Sequence, residues 1–235
     1  MAYKHPPLSV LQMADAVEDA RAVENVMGTY TFLNCYKRFN TIFEDYWTTN
    51  EPTLTLNNAR YVGAEAVKAY VLDYGNAQTE WANNVMRSLY PEELAGKTDE
   101  EIWGVGSNTV LTFTTPLVEV ALDGQTAKGL WYVMGETTEV FSDGPKAAWN
   151  FGRCAVDFLK EDGKWKIWHM RMCTDFETPV GGNWARDAVP AREGVEVPAP
   201  TETGTFYSSW TPEYISLVNP PMPEPYDTFA NTFSY

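Results

Sequence analysis

Few side chains in this sequence have the chemistry to move a proton near neutral pH, and most of them fall between Asn150 and Phe176, NFGRCAVDFLKEDGKWKIWHMRMCTDF. Imidazole has the ordinary pKa closest to neutrality, so His169 is the candidate general acid or base. The second histidine, His5, sits in the N-terminal tail. Arg171 follows two residues later, roughly 7 Å along an extended strand, where it would position a substrate. Asp175 is six residues on, roughly 20 Å along such a strand, and orients His169 only if the chain folds back. Tyr30 is the second catalytic candidate, a phenol able to donate a proton or polarise a carbonyl. Trp131 and Trp168 are candidate substrate platforms. Each has a plain structural reading as well: a half-buried histidine, a tyrosine with its ring in the core, buried tryptophans.

These residues need a sheet to hold them. Asp162-Gly163 between two runs of aromatic, β-branched and sulfur-bearing residues is a hairpin signal. With Lys160 opposite Trp165, one face pairs Phe158 with Ile167, Val156 with His169, Cys154 with Arg171 and Asn150 with Asp175. The other face pairs Leu159 with Lys166, Asp157 with Trp168, Ala155 with Met170 and Arg153 with Met172. Asp157 then faces away from His169, and no orienting acid is assigned. The first face runs from apolar to polar, as the wall of a small-molecule pocket does. If the second face lines the pocket instead, the interior is nearly apolar and the protein reads as a binder.

Ahead of the hairpin, Met13, Val17, Ala20, Val23, Met27 and Tyr30 recur at helical spacing within Leu11 to Tyr36, and Phe39, Ile42, Phe43 and Trp47 do so within Arg38 to Trp47. A strand at Thr53 to Asn58, a turn at Gly63 and a helix from Ala64 to Tyr74 follow. Residues 75–106 read as an insertion, then strands cover Thr109 to Thr114, Leu117 to Leu122 and Lys128 to Phe141. Helices first and an antiparallel meander second make the class α+β. Residues 1–177 form the expected domain. Residues 178–235, rich in proline and aromatics, form an extension expected to lie on that domain or on a neighbouring subunit.

Composition narrows the function. The chain has 235 residues, with 17 Lys and Arg against 32 Asp and Glu, a net charge of −15. That balance excludes a nucleic-acid backbone as partner. No stretch has the length and hydropathy of a membrane span, so a soluble cytoplasmic protein is expected, with no membrane contact. Cys35, Cys154 and Cys173 show no metal spacing and read as reduced, small hydrophobes. No phosphate loop or nucleophile elbow is present, and no metal or other cofactor is expected.

The order of Val26 to Tyr30, Gly63-Ala64-Glu65-Ala66-Val67, Thr115-Pro116, Asp123 to Ala127, Leu130-Trp131-Tyr132 and Asp162 to Ile167 resembles the SnoaL-like branch of the nuclear transport factor 2-like superfamily. The resemblance covers residues 15–176. It implies a cone in which a curved antiparallel sheet wraps against helices around a mostly apolar pocket. Members include dehydratases, steroid isomerases, polyketide cyclases, the small subunits of ring-hydroxylating dioxygenases and non-catalytic binders. Against bacterial bile-acid dehydratases, Tyr30 matches a pocket tyrosine. The family acid falls on Cys35 beside Asn34, the histidine before Thr-Pro falls on Thr114, and the last-strand arginine falls near Thr174. The usual acid/base set is therefore largely missing. The resemblance implies a cofactor-independent lyase, isomerase or cyclase acting on a hydrophobic ring compound of steroid, polyketide or aromatic type. Tyr30 and His169 would be catalytic, with Asn34, Cys35, Thr114, Trp131, Asp157, Trp168, Arg171 and Asp175 around the substrate. The alternative is a binding or assembly module like a dioxygenase small subunit. A homo-oligomer, dimer or trimer, is expected in either case.

Overall fold

The computed structural model describes residues 8–235; His5 lies outside the described residues. Helix α1 (Val10–Cys35) starts at a capping box in which Ser9 and Gln12 satisfy each other's end of the helix. Its second half buries Val23, Val26 and Met27. Val10, Leu11, Met13 and Val17 instead stand exposed, so the apolar repeat marks one stripe of which only the C-terminal part meets the core.

A short α2 (Phe39–Thr41) leads into a wide π-helical turn, Ile42–Tyr46. Strands β1 (Thr53–Leu56) and β2 (Ala59–Val62) form a small hairpin, followed by α3 (Ala64–Lys68). A second π-helical turn, Ala69–Tyr74, carries α3 without a break into α4 (Gly75–Leu89), so the expected insertion begins as helix. Strand β3 (Asn108–Val120) is a single strand with an irregularity between Thr114 and Leu117, not two. It pairs with β4 (Thr126–Phe141), β4 with β5 (Gly144–Glu161), and β5 with β6 (Lys164–Pro179).

The sheet is mixed. Strand β1 runs parallel to β6, and a two-residue strand β7 (Glu202–Thr203) closes the edge beside β2, in the order β3-β4-β5-β6-β1-β2-β7. The expected meander, β3 to β6, is antiparallel throughout. The parallel pair arises because β1 precedes the meander and is inserted next to its last strand.

The inner face of the sheet packs on the helices through Ala127, Trp131, Val133, Cys154, Val156, Phe158, Ile167 and Met170, against Val23, Met27, Ile42 and Val67. The Trp131 ring lies flat over Gly129, where a Cβ would come within 2.0 Å of it. Only glycine leaves room for that ring.

The hairpin register holds from Lys160 opposite Trp165 as far as Phe158 opposite Ile167. There it breaks. Trp168 is an extra residue on β6, so Asp157 faces His169, Val156 faces Met170 and Cys154 faces Met172; Asp175 is a second extra residue, after which Asn150 faces Glu177. Each β-bulge shifts the alternation by one. Without the first bulge His169 and Arg171 would follow Ile167 into the apolar interior, where an unpaired charge is costly. With it, Met170 goes inward and both polar residues go outward.

The residues after β6 run along the same chain's surface. Arg192 bonds Glu139, Gln78 donates to the Glu193 carbonyl, and the Tyr61 hydroxyl donates to the Pro198 carbonyl. The segment then crosses the outer face: Arg171 donates to the Phe206 carbonyl, Tyr207 meets Arg153 and Asp175, and Tyr226 meets Thr126.

Candidate functional site

Acid/base residues and open space occupy different sides of this sheet. On the outer face, Lys128 and Asp157 are adjacent across β4 and β5 and fully buried, with Nζ donating to Oδ1 at 2.5 Å. His169 Nδ1 lies 2.9 Å from the other carboxylate oxygen. Asp157 is therefore the acid that holds His169, which corrects the expectation that it faces away. The Ser234 hydroxyl donates to the same oxygen at 3.1 Å and the Tyr235 backbone N–H at 2.9 Å. Four rings from the chain's last segment, Tyr226, Phe229, Phe233 and Tyr235, stand 4.4 to 6.0 Å from the Lys128 ammonium. Burial lowers the Lys128 pKa, and Asp157 partly offsets this.

The cluster is thus covered by the chain itself. Trp168 stacks on His169 and meets Phe229 at a tilt, at 4.3 and 4.6 Å between centroids. Asp175 pairs with Arg153 at 2.7 Å and also bonds Tyr207. Thr114 lies opposite Tyr132, on the side away from the core. Of the expected site residues, Thr114, Asp157, Trp168, His169, Arg171 and Asp175 therefore do not line the interior, and the expected pair of Tyr30 with His169 is separated by the thickness of the sheet.

Open space lies on the inner side, between α1 and β3. A cavity of about 420 Å³ is walled by Met27, Gly28, Phe32, Leu111, Phe113 and Trp131, with Glu24, Thr31, Cys35 and Thr109 as its polar lining. Phe113 and Phe158 both meet the Trp131 ring edge-on, at 6.3 and 6.2 Å, which fixes it as an inner wall. Cys35 is half-buried and lines the cavity. Tyr30 packs into the core beside the cavity instead of lining it. Burial raises its phenol pKa, and Cys154 and Tyr70 add to the effect. Asn34 bonds the chain reversal after α1 through its carbonyl, which accepts from Lys37.

A polar end adjoins the cavity at Thr109, whose hydroxyl accepts from Lys37 at 2.9 Å. Along the inner face, Asn150 donates to Thr137 at 2.8 Å, and Arg192 forks onto the Glu139 carboxylate, with Nε at 2.8 Å. Burial lowers the Lys37 pKa against the pull of Glu139. Burial pushes the Tyr70 phenol up to about 12. Glu177, opposite Asn150, has no hydrogen-bond or ion-pair partner among the described residues; burial raises its carboxyl pKa, Glu139 adds to the rise and Arg192 opposes it. Sequence reading missed Lys37, Tyr70, Glu139, Glu177 and Arg192. Glu177 is two residues past Asp175, one residue beyond the stretch read as the hairpin; the two bulges cancel, so it shares the inner face with Ile167.

Residues 15–171 match a family profile described as SnoaL-like domain. No curated protein matches the sequence. Among solved structures the chain is similar to LinA, with 13% identity, TM-score 0.51 and coverage of 77% of this chain and 99% of that one. It is similar in the same measure to a protein described as a candidate scytalone dehydratase from Novosphingobium aromaticivorans DSM 12444, with 13% identity, TM-score 0.50 and the same coverages. At this identity both likenesses show the fold alone, a mixed sheet with an N-terminal helix.

Proposed function

The chain belongs to the SnoaL-like domain family, and from that premise we propose that it binds a hydrophobic ring compound in the cavity between α1 and β3. The observation that carries this reading is the cavity itself. Its volume falls within the usual range for small-molecule sites, roughly 300 to 1,000 Å³, and its walls are aromatic and aliphatic with a few polar groups among them. A flat ring would lie against Trp131 and Phe113 with its polar substituent toward Thr109 and Lys37.

Gly28 supplies the test. It lines the cavity, and a Cβ built there meets nothing within 4 Å, so a large side chain enters open space without displacing the core. Isothermal titration of a panel of steroid, polyketide and aromatic ring compounds should find a ligand for the wild type that Gly28→Phe binds at least tenfold more weakly. Equal binding by the two proteins would overturn the assignment.

A second reading adds chemistry of the lyase or isomerase kind, and the named functions of the scytalone dehydratase relative agree with it. Glu177 favours it: a carboxyl on the inner face beside Glu139 and Arg192, with a raised pKa and no partner among the described residues, is free to give a proton to a substrate or take one. His169 has no part in this chemistry. Turnover of a bound ligand should fall by about a hundredfold or more in Glu177→Gln if the carboxyl acts as general acid or base, and unchanged turnover would remove it.

A further inference from the structure

The outer face of β1, β2, β5 and β6 collects hydrogen-bond donors that no protein group accepts from. Thr53 Oγ1, Arg60 Nε, Arg153 Nε, Trp168 Nε1 and Arg171 Nε are all buried without a partner among the described residues. The register puts several of them side by side. Arg60 and Arg171 flank Thr55 on the two neighbouring strands, and Thr53 pairs with His169 next to Trp168. Thr53 is only 6% exposed and His169 8%, so water reaches this layer poorly. Four of the five atoms are N–H groups, and buried N–H groups in folded proteins are nearly always satisfied. The missing partner is an acceptor.

Charge says what kind. Arg60 has Glu202 and Arg153 has Asp175 as countercharges. Arg171 meets the Phe206 carbonyl and no carboxylate among the described residues. A half-buried guanidinium without a countercharge is costly, and a carbonyl or a water satisfies its protons without neutralising it.

We infer that the layer between this face and the segment around Phe206 and Tyr207 is a binding site for a small oxyanion, a carboxylate or a phosphate. Arg171 supplies the countercharge, and Arg60 and Thr53 supply donors. The site lies on the side of the sheet opposite the cavity. Because the covering segment also bonds Arg171 through the Phe206 carbonyl, an anion seated there would tie the covering segment to the sheet.

Thermal unfolding of the full chain tests this, with inorganic phosphate or sodium benzoate titrated at constant ionic strength against sodium chloride. The wild type should gain about 3 to 6 °C in Tm at a tenfold excess over the dissociation constant, and the gain should saturate. Response to phosphate alone, to benzoate alone or to both supports the site and identifies the anion. Arg171→Gln should lose the response, and Arg87→Gln, on the far helix, should keep it. Since Arg171 also anchors the covering segment, Thr53→Val serves as the second variant and should weaken the response at least threefold in midpoint concentration. Absence of a saturable gain in the wild type, or an equal gain in Arg171→Gln and Thr53→Val, would overturn the inference.

Discussion

On its inner face the sheet presents Trp131, Val133, Phe158, Ile167 and Met170; one residue along the same strands, its outer face presents Lys128, Asp157, His169 and Arg171. The inner face meets helices and leaves a cavity. The outer face meets the chain's own segment after β6 and leaves none around Asp157. A carboxylate, an imidazole and a serine hydroxyl within 3.1 Å of one another look like catalytic parts. Their surroundings decide otherwise, because Phe229, Phe233 and Tyr235 fill the position a substrate would need. The outer cluster is a fastening for the covering segment, and the inner face is the side with room for a hydrophobic ring.

This contrast can be broken most directly at Asp157. Replacing it with alanine leaves the buried Lys128 without a countercharge and should cost about 3 to 5 kcal/mol in equilibrium denaturation. Replacing both partners, Lys128→Met with Asp157→Leu, should recover much of that loss, because the penalty belongs to the unpaired charge. If Asp157→Ala unfolds at the wild-type denaturant concentration, the outer cluster is not a fastening.

A smaller effect separates the faces by ligand. Gly28→Phe should weaken binding of a hydrophobic ring compound by about 1.4 kcal/mol or more, the tenfold loss given above, and His169→Ala should change it less than twofold. A reversed pattern in titration calorimetry would return His169 to the binding site. Smaller still is the effect of Gly28→Ala, which adds a methyl group to a mid-helix glycine with space around it. It should raise stability by about 0.5 to 1 kcal/mol in denaturant unfolding. Destabilisation there would mean that α1 is packed more tightly against β3 than the cavity implies.

The mildest test is by pH. Glu177 has a folded-state pKa raised above its unfolded value by burial, with Glu139 adding to it. Between those two values the folded state binds more protons than the unfolded state, so stability falls as pH rises from about 4.5 through the raised value and then levels. Glu177→Gln lacks this slope. The wild type should therefore lose stability relative to Glu177→Gln as pH climbs through that window, in paired melts at several pH values. Parallel curves would place Glu177 in water.

Much of the fold was legible because it rests on local signals. The spacing of Val23, Met27 and Tyr30 marks a helix, Asp162-Gly163 marks the turn, and three hairpin pairs next to it follow from the turn alone. Beyond Phe158 the reading failed by one residue, and that residue moved His169 from the cavity to the far face. No local feature announces the bulge at Trp168. It follows from what lies on each side of the sheet, since Met170 finds an apolar core inside and His169 finds Asp157 outside.

The sequence by itself determined the class of fold, the family pattern over residues 15–171 and the presence of an apolar interior, because periodicity and turn chemistry act over a few residues. Only the tertiary structure decided which polar groups meet. Lys128 and Asp157 are 29 residues apart, Asp157 and Ser234 are 77 apart, and Lys37 and Thr109 are 72 apart. A side chain's face depends on strand register, register depends on bulges, and bulges are set by the desolvation of charges against partners that arrive from elsewhere in the chain.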